Sequence, residues 1–387
     1  MNNDKREIPV FFQKLRVNTR GYCGPWNYIQ GPGEFDKIEK YTSKYSKNVF
    51  ILIDSLMYDL LGARIKKAYE GTDSTYRIDK FNGECCRAEI ARVVAEIKKC
   101  GATLAVAVGG GKTLDTLKAA AVDSGIHYFI VPTSAANDAP VSSLAIIYTD
   151  EGHHDGGRAF DTGSTMVLVD SDIIAKAPRR FIISGMGDAL STYFEARAVE
   201  RSNTQNLVGE GYRCCKVGLA IAKLSYEVLL ADGVKALQAL DRGVISEAVE
   251  NIIEANTLMS GLGFQNTNCS IAHAVNAGLA EIPEAASCLH GERVAFGVVC
   301  QLMFENSPME EINTVLKFMV DVGLPVTLKQ VGVEPVMDSI MKIADKMVYR
   351  NKTSHTQTGV INIDTIAAGI MAADAMGTAF LAKSSSI

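Results

Sequence analysis

The sequence predicts an α/β N-terminal half built on a parallel, doubly wound sheet, followed by an all-helical C-terminal half. Three observations predict it. Short, continuous apolar runs recur early, as VFILID (Val49–Asp54), TLAVAVG (Thr103–Gly109) and HYFIVP (His127–Pro132), and such runs suit strands buried on both faces. Segments of helical period separate them, and strand–helix alternation makes a parallel sheet. From about Arg180 long amphipathic stretches take over. A chain of 387 residues fits two domains of about 100–200 residues each. The predicted division is 1–179 and 180–387.

The elements follow in order. The first thirty-odd residues carry no strong period and end in the turn-like Gly31–Gly33, which predicts an extension and a first strand. VFILID leads to a helix over Leu56–Tyr69, and TYRIDKF (Thr75–Phe81) to another strand. RAEIARVVAEIKKC reads as a helix closed by Gly101, and KTLDTLKAAAVDS as one closed by Gly125. VPTSAANDAPVSSLAIIYTDEG, from Val131, reads as a polar loop at a strand's carboxyl end, and GHHDGGRAFDTGS (Gly152–Ser164) as a Gly-rich loop. Beyond Arg180, helices are predicted over DALSTYFEARAVERS, over the segment running from Leu207 to Gly233, and over SEAVENIIEANTLMSGLG, with Pro283, Pro308, Pro325 and Pro335 punctuating later ones.

The bulk composition excludes several classes. A formal net charge of −5 opposes general nucleic-acid binding, which needs excess Lys and Arg. Asp4, Glu7 and Gln13 interrupt any secretory apolar stretch. No run approaches the roughly 18 apolar residues of a membrane helix, the richest being VGLAIAKLSYEVLLA, broken by Lys223 and Glu227. Nine cysteines without a CxxC indicate free thiols rather than a disulfide framework or zinc ribbon. The expectation is a cytoplasmic protein without membrane or nucleic-acid partners.

AVAVGGGKTLDT (Ala105–Thr116) is the strongest local signal. Glycines between a buried strand and a helix let the backbone approach an anion, toward which the helix turns its unpaired N–H groups. The segment is neither GxGxxG nor a Walker A motif, since Val106 stands where the latter needs glycine. A plain strand-to-helix turn without a ligand is the alternative reading. Asp54, at the end of a strand, reads either as a ribose ligand favouring NAD over NADP or as a helix N-cap. In the following loop Thr133, Ser142 and Ser143 offer hydroxyls and Asp138 a carboxylate.

Six histidines are present, and no HExxH or HxH spacing joins any of them. His127 reads as structural, His153 and His154 as loop residues, and His355 lies in a polar segment. His273 and His290, 17 residues apart and flanked by small residues, suit two successive helices facing one cleft. Asp188, where GMGD meets the first long helix, supplies a carboxylate. Two imidazoles and a carboxylate leave coordination positions open, as catalytic metal sites do. Satisfied core histidines and an N-capping aspartate explain the same residues.

Together these segments resemble the iron-containing (group III) alcohol dehydrogenases, in their glycerol dehydrogenase branch. GGGKTLDT (Gly109–Thr116), PTSAANDAP (Pro132–Pro140), GMGDALSTYFEAR (Gly185–Arg197), IAHAVNAGL (Ile271–Leu279) and HGERVAFG (His290–Gly297) stand in the family's order and spacing. The resemblance runs from about Tyr28 almost to the C-terminus. It implies a Rossmann-like N-terminal domain, an all-α C-terminal domain (the dehydroquinate synthase-like fold) and a deep cleft between them. It implies NAD-dependent oxidation of a small polyol, glycerol to dihydroxyacetone or a related vicinal diol. A divalent ion, usually zinc with iron the alternative, would be held by Asp188, His273 and His290. Gly110, Gly111 and Asp115 would line the pyrophosphate, with Lys112 nearby. Asp54 would hold the adenosine ribose, Thr133, Ser142, Leu144 and Tyr148 would border the cofactor, and Asp138 would touch the substrate. Homo-octamers are typical of the branch. The chain departs from the family pattern in PTSAANDAP, and in HAVNAG where HAVHNG is more usual. Two other readings stand beside this one: a hydroxycarboxylate or other diol reductase on the same scaffold, and a non-catalytic nucleotide-binding protein that kept the fold.

Overall fold

The computed structural model describes residues 19–351 and 353–384, so most of the expected N-terminal extension lies outside the described residues. The strands are β1 (Tyr28–Gly31), β2 (Asn48–Ile53), β3 (Thr75–Lys80), β4 (Leu104–Gly109), β5 (His127–Pro132), β6 (Leu144–Tyr148), β7 (His154–Ala159) and β8 (Met166–Asp170). The α-helices are α1 (Ile38–Thr42), α2 (Ser55–Tyr69), α3 (Arg87–Cys100), α4 (Gly111–Ser124), α5 (Ser171–Ile174), α6 (Arg179–Ser202) and α7 (Lys216–Leu240). They continue as α8 (Glu247–Glu254), α9 (Ser260–Thr267), α10 (Ile271–Leu279), α11 (His290–Phe304), α12 (Met309–Val322), α13 (Met337–Asp345) and α14 (Ile363–Ser384). The chain divides into two compact units. One holds Cys23–Ile182 with Lys235–Leu262; the other holds Ile183–Val234 with the described residues from Gly263 onward and those just before Cys23.

The first unit carries a six-stranded sheet ordered β1-β8-β5-β4-β2-β3, with every neighbouring pair parallel. Alternate residues face opposite ways. Val49, Ile51, Ile53, Leu104, Val106, Val108, Phe129 and Val131 join Ile38 of α1 and Leu61 and Ile65 of α2 in one buried cluster. Each such side chain stabilises the fold by about 1.5–3 kcal/mol relative to exposure. On the opposite face Ala105 and Ala107 are small, which admits α4 with its buried Leu117, Ala120 and Ala121. Gly101 and Gly125 end α3 and α4 with φ of 64° and 65°, as their sequence positions predict. At the end of β8, the buried Asp170 carboxylate accepts N–H groups of Gly33, Phe35 and Asp172 and meets the Arg64 guanidinium.

From β2 the chain moves outward to β3 and then returns to place β4 on the other side of β2. Helices α2 and α4 therefore leave opposite faces, and a crevice opens at the carboxyl ends of β2 and β4. That switch point is where open α/β sheets bind ligands. The later segment Lys235–Leu262 belongs to the same unit. Asn256, in a π-helical stretch (Ala255–Met259), donates to Ala135 O and Ile182 O at 3.0 and 2.9 Å. Tyr28 Oη and Thr257 Oγ1 lie 2.9 Å apart.

The structure corrects several sequence expectations. The predicted loop from Val131 to Gly152 contains β6, which pairs antiparallel with β7, so His154 opens a strand instead of lying in a loop. The β7 sequence HDGGRA has no apolar alternation and takes its strand form from pairing alone. β8 (MVLVD) is a further fully buried strand beyond those the sequence predicts. The helix expected from Leu207 begins at Lys216, because Gly209 and Gly211 adopt φ of 51° and 88°. In the second unit α10 and α13 pack together, and α14 packs on α11 and α13. Among the described residues, the apolar run long enough to pass for a membrane span by length and composition lies in α14, not in the segment at 217–231.

Candidate metal and nucleotide sites

In the helical unit, α6 and α11 meet backbone to backbone. A Cβ on Gly291 would stand 1.8 Å from Ser184 O, and one on Gly187 2.3 Å from Gly291 O. Only glycine at both positions lets the two helices approach this closely. Each glycine adjoins a predicted ligand, so the close crossing brings Asp188 to His290. Asp188 lies in the third turn of α6, nine residues past its start, which rules out the N-cap reading. His290 opens α11, and His273 is the third residue of α10. Asn268, just before α10, holds φ of 132°. Its side chain secures that costly conformation, donating to Gln205 O and accepting from the Cys269 N–H.

The three predicted ligands converge. Asp188 Oδ1 is 3.2 Å from His290 Nε2 and 3.4 Å from His273 Nε2, and the donor atoms all lie within 4.8 Å of one another. The Asp188 side chain is fully buried. Burial opposes its charge, yet His290 and His273 hold the carboxyl well below the usual carboxylate range. At His273 burial favours the neutral ring, but the Cys269 sulfur and the Glu195 and Asp188 carboxylates outweigh it and raise the pKa well above the ordinary histidine value. The pocket is thus built to hold positive charge. Donors about 2.0–2.2 Å from a tetrahedral ion stand roughly 3.3 Å apart, and the two separations from Asp188 Oδ1 match. The residues present fit a divalent cation.

Sequence reasoning missed Glu195, whose carboxylate lies 2.7 Å from His273 Nδ1. It belongs to the same GMGDALSTYFEA segment, seven residues past Asp188, and that spacing on one helix face was the signal available.

In the sheet unit, Asp54, Gly110, Gly111 and Thr133 gather at the carboxyl edge around the switch point. Asp54 caps α2, accepting the Leu56 N–H at 2.9 Å. A Cβ on Gly109 would sit 3.0 Å from Asp54 Cβ, whereas one on Gly110, at the α4 N-terminus, would meet nothing within 4 Å. That open space before free helical N–H groups fits a dinucleotide pyrophosphate. The Thr133 N–H donates to Gly109 O. Lys112 pairs with Glu84 at 2.6 Å and lies over the Tyr148 ring.

Asp115 is engaged by internal partners. It is buried between Lys118 Nζ at 3.0 Å and the Ile146 N–H at 3.0 Å, and burial pushes its carboxyl pKa up. Lys118, 1% exposed, also donates to Ala139 O and Leu144 O, so this pair ties the β5–β6 loop to α4. Ser142 folds back toward Ala139 O. Asp138 lies in the same loop, and its carbonyl approaches Gly261 within 3.0 Å of where a Cβ would be.

Comparison with known proteins decides the family. A profile of the iron-containing alcohol dehydrogenases matches residues 25–171. The glycerol dehydrogenase of Citrobacter freundii is 39% identical over 93% of this chain and 98% of its own length. The chain belongs to the iron-containing alcohol dehydrogenase family. Family members with solved structures share the whole fold. A probable glycerol dehydrogenase from Sinorhizobium meliloti 1021 superposes with a TM-score of 0.87 at 40% identity, covering 93% of this chain and 99% of that one. Glycerol dehydrogenase from Schizosaccharomyces pombe gives 0.88 at 30% identity, covering 96% and 95%. The family places this chain among metal-dependent, NAD-linked oxidoreductases acting on small alcohols.

Proposed function

We propose that this enzyme oxidises glycerol, or a related vicinal diol, to the hydroxyketone with NAD as acceptor. The convergence of Asp188, His273 and His290 carries the reading, and the names of its full-length relatives support it. Two imidazoles and a carboxylate suit zinc first and ferrous iron second. The cation supplies positive charge that favours the alkoxide form of an alcohol, and the nicotinamide supplies a hydride acceptor.

The chain's own residues do the rest. Asp188 contributes the single negative charge among the ligands, so the loaded centre keeps net positive charge for an oxygen to meet. Asp138 would accept a hydrogen bond from a second substrate hydroxyl and so select for a polyol. Gly110 and Gly111 present N–H groups to the pyrophosphate, Asp54 accepts from the adenosine ribose, and Lys112, Thr133, Ser142, Leu144 and Tyr148 border the cofactor. Asp115 supports that border through Lys118. The predicted segments would divide the work, 1–179 chiefly for the nucleotide and 180–387 chiefly for the metal, with Lys235–Leu262 packed into the sheet unit. The cysteines described are all free thiols, which suits a cytoplasmic enzyme, and a homo-octamer is the assembly we expect.

Elemental analysis of the purified protein, combined with NADH absorbance on glycerol, 1,2-propanediol and a 2-hydroxy acid, with and without chelator, tests the reading. Chelator-sensitive turnover of the two diols is the expected result. Turnover of the 2-hydroxy acid alone would overturn the substrate assignment. Asp188→Asn should lower kcat/KM about a thousandfold or more, since the cation is worth several kcal/mol at 1.36 kcal/mol per tenfold, while NADH binding stays near wild type. A variant with ordinary turnover would remove Asp188 from the metal.

A further inference from the structure

We propose that Glu195 is the positioning residue of the metal centre, fixing His273 with Nε2 toward Asp188 and His290. The inference rests on the reading that these three residues hold the cation. Glu195 lies two helical turns beyond Asp188 on α6, and its side chain is 2% exposed. Its two oxygens have separate duties. Oε2 faces His273 Nδ1 at 2.7 Å, while Oε1 accepts the backbone N–H groups of Ser270 at 2.7 Å and His273 at 2.9 Å.

Those N–H groups open α10, where no intrahelical acceptor exists. The Ser270 side chain makes no cap bond; α10 is capped from outside, by Glu195 and by Gln301 Oε1, which accepts from the Ala272 N–H at 3.2 Å. Ser191, one turn past Asp188, donates to Asp188 O at 2.8 Å and stands 3.3 Å from Glu195 Oε2. One face of α6 therefore presents a ligand, then a hydroxyl, then the carboxylate that orients the second ligand.

A carboxylate offers only acceptors. The proton it shares with the ring therefore resides on Nδ1, and the Nε2 lone pair points at the cation. Holding the distal imidazole N–H in this way sets both tautomer and ring orientation, and losing such a partner costs on the order of 10- to 100-fold in metal affinity. Asp188 and Glu195 share one rigid helix, so a single element sets the position of the ion and the aim of a ligand from another helix.

Glu195→Gln keeps the length but has one acceptor oxygen where the carboxylate has two, so it serves the backbone or the ring and not both. Dissociation constants for Zn2+ and Co2+, measured by chelator competition, should rise on the order of 10- to 100-fold, with a changed Co2+ visible spectrum and unchanged NADH affinity. Asp188→Asn, measured in parallel, reads the underlying site. If Asp188→Asn binds metal as wild type does, the metal-site reading fails. If Asp188→Asn loses the metal while Glu195→Gln keeps wild-type affinity, the Glu195 inference alone is overturned. Should Glu195→Gln not fold, neutron diffraction from the zinc-loaded wild-type enzyme decides. Deuterium on His273 Nδ1, facing Glu195, is expected, and deuterium on Nε2 would overturn the assignment.

Discussion

At Asp54 the two readings left open by the sequence do not exclude one another, because Oδ1 caps α2 while the residue's Cβ lies beside Gly109 at the switch point. The roles separate experimentally. Asp54→Ser keeps an N-cap acceptor but removes the charge that would repel a ribose phosphate. Like charges about 4 Å apart near a protein surface repel by a few kcal/mol, so the preference for NAD over NADP should fall about tenfold or more, with little change in Tm. Equal discrimination in the variant would assign the preference elsewhere. The proposed metal ligands could be picked out from sequence because histidine is scarce in this chain, and each candidate sits among small residues that leave room for an imidazole. Glu195 and Lys118 could not. A glutamate on a helix and a lysine on a helix look solvated until the fold buries them, and the His273 ring lies 78 residues from Glu195, the Ala139 and Leu144 carbonyls 21 and 26 residues from Lys118.

Among the elements, those with an intrinsic signal were readable: β2, β4 and β5 as continuous apolar runs, α3 and α4 through their terminal glycines. β7 owes its form to β6, and the start of α7 to two left-handed glycines, so neither shows in local pattern. The crossing of α6 and α11 belongs to the same hidden class, since GMGD read as a helix start and proved to be a helix interior. Alanine ordinarily stabilises a helix over glycine by up to about 1 kcal/mol. At Gly291 the sign reverses, because the atom in the way is the Ser184 carbonyl, which cannot rotate aside. Gly291→Ala should cost roughly 1–3 kcal/mol, lower the Tm by several degrees and weaken metal binding by prising His290 from Asp188. An unchanged Tm with unchanged metal affinity would show that the helices do not depend on this contact.

For the molecule as a whole, neither unit is a continuous stretch of chain, and composition gives no hint of that. A fragment ending at Ile182 contains every strand of the described residues yet lacks Lys235–Leu262, leaving Ala135 O without Asn256 and Tyr28 without Thr257. Residues 19–182 alone should therefore melt without a cooperative transition and bind a hydrophobic dye, and a peptide spanning 235–262 should restore cooperativity. Sharp unfolding of the fragment near the full-length Tm would refute this. On the ribosome, where N-terminal domains generally fold first as they emerge, this unit must wait. Its last segment is translated only after the helical unit has begun to appear, so the nascent nucleotide site has to be kept from aggregating while some eighty more residues are made.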